Sequence, residues 1–101
     1  MKKPKKENNF VIIIEGKVPK KRRREFVSFY ANTKFIPMGF LESRLLQDLD
    51  NPEIWRMINI WKNRKSFLKA HSQSTAPNGL HIFHTVGSEA TFTASISAKS
   101  K

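Results

Sequence analysis

The sequence contains no cysteine. Disulfide bonds, cysteine-ligated zinc, iron–sulfur clusters and thiol nucleophiles are therefore excluded. Long apolar runs are also missing, since the longest, Phe10 to Ile14, is far shorter than the roughly 20 residues of a membrane-spanning helix. The basic N-terminus is followed by too few apolar residues for a signal peptide. These absences predict a cytoplasmic protein with no membrane span.

Glycine is scarce as well, with four residues in the chain. Their positions match neither the phosphate-binding loop of nucleotide hydrolases nor the dinucleotide-binding fingerprint. No nucleophile elbow occurs either. The sequence offers no motif for a bound nucleotide or for serine-dependent hydrolysis.

The histidine pair His81 and His84 has a spacing that can bind a metal when it lies on a helix. The segment 80–86 is predicted as a strand, on which residues three apart point to opposite faces. No acidic residue lies close by in sequence to complete a ligand set. We therefore predict no metal site at these residues.

Positive charge is in excess, with a net charge of +11, and its distribution is uneven. Residues 1–24 hold ten Lys and Arg against two Glu, whereas residues 25–101 hold nine against six acidic residues. The tail and the basic run Lys20 to Arg24 could bind nucleic acid or another anionic surface. The favoured interpretation is a solvated tail and helix end, because the chain lacks the aromatic–basic pattern of RNA-recognition motifs.

A chain of 101 residues fits one domain. Residues 1–8 are predicted to be a disordered basic tail and residues 9–101 a single domain. The order β-α-β-β-α-β-β is that of an α+β, ferredoxin-like fold with an antiparallel sheet and an additional C-terminal strand. The predicted elements are strand 10–18, helix 20–34, strands 40–48 and 53–62, helix 64–73, and strands 80–86 and 90–98.

Side-chain periodicity predicts which residues share a face. On the first helix Phe26, Phe29 and Tyr30 lie together. On the second strand, simple alternation puts Phe40 on the face opposite Ser43. Asn59 and Trp61 share a face of the third strand.

The sheet of such a fold has helices on one face only, which leaves the other face to be covered. Strand 10–18 begins with a continuous apolar run, which is typical of burial on both sides. We therefore predict that a second copy of the chain covers the helix-free face, giving a homodimer.

Four short motifs, by their order and spacing, resemble the antibiotic biosynthesis monooxygenase family. They are Pro37-Met38-Gly39-Phe40, Asp48-Leu49-Asp50-Asn51-Pro52, Trp61-Lys62-Asn63 and Phe67-Leu68-Lys69-Ala70-His71. Members form dimeric α+β barrels and include cofactor-independent monooxygenases of quinols or polyketides, heme-degrading enzymes and small isomerase-like proteins. The resemblance implies a dimeric α+β barrel and a monooxygenase that needs no cofactor.

The resemblance also implies a reaction and residues for it. The pocket of such an enzyme deprotonates an electron-rich phenol or quinol, and the resulting anion passes an electron to oxygen. His71 would be the base or the partner of the anion, and Asn59 would orient the substrate. Trp61, Phe26 and Phe29 would form the wall of the pocket. Asn59 stands where the family often has Glu, which suits a changed reaction or a retired active site.

The same residues have purely structural interpretations. His71 could be a buried histidine hydrogen-bonded to the backbone, and Asn59 and Trp61 could pack in a dimer interface. The alternative function is a non-catalytic dimeric module that binds an anionic partner through residues 1–24.

Overall fold

The structure, a computed structural model, describes residues 8–33, 37–71 and 79–98. Its helices pack on one face of an antiparallel sheet, which confirms the predicted α+β, ferredoxin-like class. Most of the predicted N-terminal tail, residues 1–7, lies outside the described residues. In chain order the elements are β1 (Phe10–Lys17), a 3₁₀ turn (Lys20–Arg22), α1 (Arg23–Asn32), β2 (Phe40–Gln47), β3 (Ile54–Trp61), α2 (Arg64–Ala70), α3 (Leu80–Thr85) and β4 (Thr91–Ile96).

The sheet has the strand order β2-β3-β1-β4, so β1 lies in its interior and pairs antiparallel with both β3 and β4. Ile12 of β1 is opposite Asn59 of β3 and Ala94 of β4. Strand β2 pairs with β3 so that Ser43 is opposite Asn59. Since residues opposite one another point to the same face of a sheet, Ser43 and Asn59 both face the helices, as Ile12 does.

The core lies between this face and the helices. Ile12 and Ile14 of β1 are fully buried, and so are Phe26 of α1 and Phe83 of α3. The ring of Phe26 lies 4.8 Å from that of Phe83 and 5.5 Å from that of Trp55 on β3, centroid to centroid. Burial of each large apolar side chain contributes about 1.5–3 kcal/mol. These contacts hold α1 and α3 together on the sheet.

The predicted strand 80–86 is wrong, because Leu80–Thr85 is helix α3. Ile82, Phe83 and Val86 are buried. Burial at positions 82, 83 and 86 follows a helical period, whereas a strand would bury alternate residues. In the described residues 8–33, 37–71 and 79–98 the order is therefore β-α-β-β-α-α-β, with one strand fewer than predicted. A short apolar run can form either a strand or a helix. Here the contact of Phe83 with Phe26 favours the helix.

A β-bulge between Phe40 and Glu42 changes the face of Phe40. Simple alternation predicts that Phe40 and Ser43 point to different faces of the sheet. In the structure Phe40 pairs with Trp61, and its side chain lies on the helix side. The two rings meet edge to face, with centroids 5.2 Å apart. Bulges insert one additional residue into a strand and re-aim its side chains. This one brings Phe40 to the same side as Ser43.

Two glycines that flank α3 have backbone angles that favour glycine, with φ of +105° at Gly79 and +76° at Gly87. Their surroundings differ. A Cβ at Gly79 would lie 2.6 Å from the Sδ atom of Met57, whereas the atom nearest to a Cβ at Gly87 is Nη1 of Arg22, at 3.9 Å. A side chain at either position would therefore strain the backbone, but only a side chain at Gly79 would also meet a neighbouring atom.

We expect Gly79→Ala to lower the free energy of unfolding more than Gly87→Ala does. Both substitutions strain the backbone, at a cost on the order of 1–3 kcal/mol, but only the first also displaces Met57. Urea unfolding followed by tryptophan fluorescence measures the difference. Equal losses in the two variants would show that the close approach at Gly79 contributes nothing.

Candidate functional site

A solvent-open cavity of about 210 Å³ lies on the helix side of the sheet, bordered by α1, β2, β3 and the start of α3. The strands contribute Phe40 and Ser43 from β2, and Met57 and Asn59 from β3. Ile82 of α3 adds an apolar side chain to the wall. The cavity thus combines apolar side chains with several polar groups, and a site for a small molecule needs both.

The polar groups form a continuous hydrogen-bonded chain. The Tyr30 hydroxyl lies 2.8 Å from Oγ of Ser43, and Ser43 Oγ donates to Oδ1 of Asn59 at 2.7 Å. Asn59 is 5% exposed. A buried amide requires hydrogen-bond partners, because an unsatisfied one costs roughly 1–3 kcal/mol. The register that sets Ser43 opposite Asn59 supplies that partner.

Gly79 lets the backbone at the start of α3 come close to this polar group. It is buried and lines the cavity. A Cβ there would lie 3.5 Å from Nδ2 of Asn59. The amide end of Asn59 is therefore directed toward Gly79, on the opposite side from Ser43.

Of the residues predicted for the site, Asn59 lines this cavity. Trp61 is buried behind its wall, in ring contact with the lining residue Phe40. Phe26 is buried in the core between Trp55 and Phe83. Phe29, also on α1, is 42% exposed.

The α1 side of the cavity wall is formed by Tyr30, Ala31 and Thr33. The predicted role of Phe26 and Phe29 as pocket walls stays a prediction, and the structure places both away from this cavity. Helical spacing correctly associates Tyr30 with the core side but does not distinguish a ring in the core from one at a cavity.

His71 lies at the C-terminal end of α2. Its ring stacks on Phe67 at 4.3 Å and meets Trp61 edge to face at 5.5 Å, centroid to centroid. Nδ1 is 2.9 Å from the carbonyl oxygen of Phe67, which can only accept, so Nδ1 carries the proton. Trp61 and Phe40 connect His71 to the cavity wall through ring contacts.

Helix α2, at whose C-terminal end His71 lies, begins at an asparagine cap. Oδ1 of Asn63 accepts a hydrogen bond from the backbone N–H of Ser66 at 2.8 Å. Such a cap satisfies one of the N–H groups left without a partner in the first turn of a helix. Asn63 thus fixes the start of α2 at Arg64, and His71 is the residue that follows the last residue of this helix, Ala70.

Sequence reasoning missed Ser43 and did not single out Tyr30 as a site residue. A signal for Ser43 exists in the sequence, because it is a polar residue on the same strand face as Leu45, which packs against the core. A polar residue at an inward position needs a partner. Its partner can be identified only from the pairing of β2 with β3.

The described residues contain no cluster of three or more His, Cys, Asp or Glu side chains that could bind a metal ion. His81 and His84 are both exposed on α3. Because the segment is a helix, the argument that they point to opposite faces is wrong, and they lie one turn apart.

The helix-free face of the sheet has an apolar centre. Val11 is opposite Ile60, and Ile13 is opposite Ile58, all four being partly buried. Ionic groups lie around this centre. Arg56 forms salt bridges with Glu15 at 2.6 Å and with Asp48 at 2.8 Å. Arg44 forms a third with Glu42 at 3.0 Å.

Asp48 lies at the end of β2 and closes the β2–β3 hairpin. Its carboxylate accepts from the backbone N–H groups of Asn51 at 2.8 Å and Asp50 at 3.1 Å. The Asn51 N–H and then the Arg56 guanidinium hold the pKa of Asp48 below its usual value. A lowered pKa favours folding above the normal carboxyl range and loses that effect as pH falls through the folded-state value.

The basic segment at the start of α1 is exposed. Lys20, Lys21, Arg23 and Arg24 are exposed, while Arg22 forms a salt bridge with Glu25. Among the described residues, none of the helices has the length and hydrophobicity needed to cross a bilayer.

Comparison with solved structures finds the same fold in several proteins. SnoaB, a cofactor-independent oxygenase from Streptomyces nogalater, is 15% identical with a TM-score of 0.56, covering 92% of this chain and 96% of its own. A Chloroflexus aurantiacus protein named for antibiotic biosynthesis monooxygenases is 12% identical with a TM-score of 0.65, with the same coverages of 92% and 96%. A conserved protein from Methanosarcina mazei is 19% identical with a TM-score of 0.62, covering 91% of this chain and 95% of its own.

At these identities the structural likeness shows the fold alone. No curated protein matches the sequence significantly. The profile of the antibiotic biosynthesis monooxygenase family, however, matches residues 9–77, which is more than half of the chain. The resemblance of the four sequence motifs is thereby confirmed, and the protein belongs to the antibiotic biosynthesis monooxygenase family.

Proposed function

We propose that the protein is a cofactor-independent monooxygenase that acts on a small phenol or quinol. The observation that carries the proposal is the buried amide of Asn59, which accepts a hydrogen bond from Ser43 at a cavity lined by both apolar and polar side chains. Membership of the family supports it, and so does the likeness in fold to SnoaB, which is a cofactor-independent oxygenase.

The chemistry requires a stabilised anion. A phenol has a pKa of about 10 and is mostly protonated at neutral pH. A hydrogen bond from the Asn59 amide to the phenolate oxygen favours the charged form, and such charge-assisted bonds contribute about 1.5–3 kcal/mol. The electron-rich anion can then give an electron to molecular oxygen, the second substrate.

The overall reaction balances without another reductant. One oxygen atom becomes a ring carbonyl, and the other leaves as water together with the phenolic hydrogen and the hydrogen of the oxidised ring carbon. The substrate supplies all the electrons and becomes a quinone. The role of the protein is to stabilise the anion and hold it beside oxygen.

The size of the cavity favours small substrates. An apolar cavity of about 150 Å³ holds one benzene ring, whereas pockets for drug-sized ligands run from about 300 to 1,000 Å³. At about 210 Å³ this cavity suits one or two fused rings. A naphthol or naphthalene diol is the substrate type we propose.

His71 is the predicted base. Its nearest described ring partners are Phe67 and Trp61, and neither lines the cavity. We propose that Asn59 contributes more to turnover than His71 does, because only Asn59 can reach a ligand in the cavity directly.

We expect Asn59→Leu to lower kcat/KM for oxygen uptake with a naphthalene diol by roughly tenfold or more, the effect of one lost charge-assisted hydrogen bond. We expect His71→Gln to lower it less. An oxygen electrode with metal-free protein and a blank without enzyme measures both. Urea midpoints control for folding. A larger loss in His71→Gln than in Asn59→Leu would make His71 the principal group of the reaction.

We propose further that the helix-free face pairs with that of a second copy. The apolar centre of this face, Val11, Ile13, Ile58 and Ile60, is only partly buried in one chain. Covering it removes apolar area from water, with about 25 cal/mol gained per Å². The surrounding ion pairs would stay at the rim of the interface, where they contribute little to affinity.

We expect light scattering at micromolar concentration to give twice the chain mass of 11.7 kDa for the native protein and one chain mass for Ile13→Glu. Glu at this position would bury a charge in the interface, which is unfavourable without a partner. Ser28→Glu, on the exposed side of α1, serves as the matched control and should stay dimeric. A native protein of single mass would refute the homodimer.

A second candidate function is binding of an anionic partner. The exposed cations Lys20, Lys21, Arg23 and Arg24 favour it, because they follow one another at the start of α1. The 3₁₀ turn Lys20–Arg22 contains no acidic residue, and the one acidic residue in the first turn of α1, Glu25, pairs with Arg22. Positive side chains at a helix N-terminus add to the positive end of the helix dipole, which attracts anions.

We expect binding of duplex DNA, used as a test polyanion, to weaken steeply with salt. Replacing the four cations with Gln should reduce the slope of log affinity against log salt by about one per residue that contacts a phosphate. Four exposed cations elsewhere, Lys62, Arg64, Lys65 and Lys69, provide the matched control set. Binding that is insensitive to salt, or an equal loss in both sets, would argue against this function.

A further inference from the structure

Three of the described residues that line the cavity carry a hydroxyl group, namely Tyr30, Thr33 and Ser43. Each hydroxyl has one proton to donate and lone pairs with which it can accept. The direction of that proton therefore decides what the group offers to a ligand. A hydroxyl that already donates its proton within the protein can only accept a hydrogen bond from the ligand.

The protons of Tyr30 and Ser43 are both donated along one chain of hydrogen bonds. Ser43 Oγ donates to Oδ1 of Asn59 at 2.7 Å. Because Ser43 has a single hydroxyl proton, it has none left for Tyr30. The Tyr30 hydroxyl is therefore the donor in its 2.8 Å contact with Ser43 Oγ. What remains on the phenolic oxygen of Tyr30 is its capacity to accept.

The hydroxyl of Thr33 is also committed within the protein. Its Oγ1 donates to the backbone carbonyl oxygen of Phe29 at 2.7 Å, where α1 ends. Tyr30 is partly buried, whereas Thr33 is exposed. Water competes for an exposed acceptor, and a hydrogen bond is stronger where the local dielectric is low. Of the two, the Tyr30 oxygen is therefore the more selective acceptor for a ligand.

We propose that Tyr30 is a specificity-determining residue that accepts a hydrogen bond from a hydroxyl group of the ligand, with Thr33 as a weaker second acceptor. The cavity then prefers an aromatic diol to the corresponding quinone, since a diol donates hydrogen bonds and a quinone only accepts them. The inference rests on the proposed function for its choice of an aromatic ligand. It adds that the site distinguishes the hydroxylated substrate from the oxidised product.

The preference has a physical cause in unpaired oxygens. When a quinone carbonyl replaces a ligand hydroxyl, it meets the Tyr30 oxygen with lone pairs on both sides and no proton between them. A site built to hydrogen-bond a hydroxyl rejects an analogue that lacks it, because its polar group is then left unpaired. The product of the proposed reaction is a quinone, so the residue that helps to bind the substrate also favours release of the product.

The test measures dissociation constants by isothermal titration calorimetry under nitrogen. The probes are naphthalene-2,7-diol, its monomethyl ether and its dimethyl ether, which carry two, one and no hydroxyl protons. We expect the native protein to bind the diol roughly fivefold more tightly than the dimethyl ether, the effect of one hydrogen bond. Tyr30→Phe should abolish most of this preference, and Thr33→Val should reduce it by less.

The ethers are larger than the diol, and the variants separate size from hydrogen bonding. A preference that reflects ligand size persists in Tyr30→Phe, whereas one that reflects the hydroxyl does not. Ser28→Ala, on the exposed side of α1, is the matched deletion of a hydroxyl and should leave the preference unchanged. Urea midpoints for each variant control for folding.

Ser43→Ala tests the proton assignment by a change of opposite sign. Without Ser43 Oγ, Tyr30 no longer donates its proton there, and its hydroxyl can donate to a ligand carbonyl instead. We expect 1,4-naphthoquinone to bind roughly fivefold more tightly to Ser43→Ala than to the native protein. If Ser43 only supported packing, its truncation would weaken the binding of every ligand.

The outcomes distinguish this inference from the proposed function. Equal affinities for diol and dimethyl ether, no detectable binding of any probe, or a preference that Tyr30→Phe leaves intact would overturn the inference. Unchanged or weaker quinone binding in Ser43→Ala would overturn it as well. A preference that depends on Tyr30 in a protein that consumes no oxygen would support the specificity role and remove the monooxygenase. Oxygen uptake without such a preference would do the reverse.

Discussion

Strand β1 is hydrogen-bonded on both sides, to β3 and to β4, and the rest of the molecule is organised around it. Its inward residues Ile12 and Ile14 are fully buried beneath the helices. A slip of one residue in its pairing would turn every side chain to the opposite face and expose this core. The burial of one face of β1 therefore fixes the register of β3, and through β3 that of β2.

The cavity chemistry depends on that register. Asn59 lies opposite Ile12 on one side and Ser43 on the other, so the strand alignment that buries the isoleucine also delivers the amide to its hydroxyl partner. The β-bulge at Phe40 and the close approach of Gly79 bring two further residues to the cavity wall. A site of this kind tolerates little change in strand pairing, because its polar groups are satisfied only in one alignment.

How far sequence reasoning succeeds can be seen from particular elements. The β-branched run of β1, the alternation along β3 and the start of the second predicted helix each have a local cause, and each appears in the structure close to its predicted place. Residues 80–86 were assigned the wrong element, because a short apolar run is compatible with either period. The packing of Phe83 against Phe26 favours the helix that the structure shows. The face of Phe40 was wrong because a bulge has no clear signal in alternation alone.

By itself, the sequence determined the fold class and the family, since both follow from periodicity and from motifs that are close together along the chain. It also singled out Asn59 as a polar residue that shares a strand face with Trp61. Only the tertiary structure decided which inward residues meet at a cavity. Tyr30, Ser43 and Asn59 come from three elements and are 13 and 16 residues apart along the chain. The physical reason is that hydrogen bonding between distant residues depends on strand register and helix docking, and both are set by the burial of the whole core.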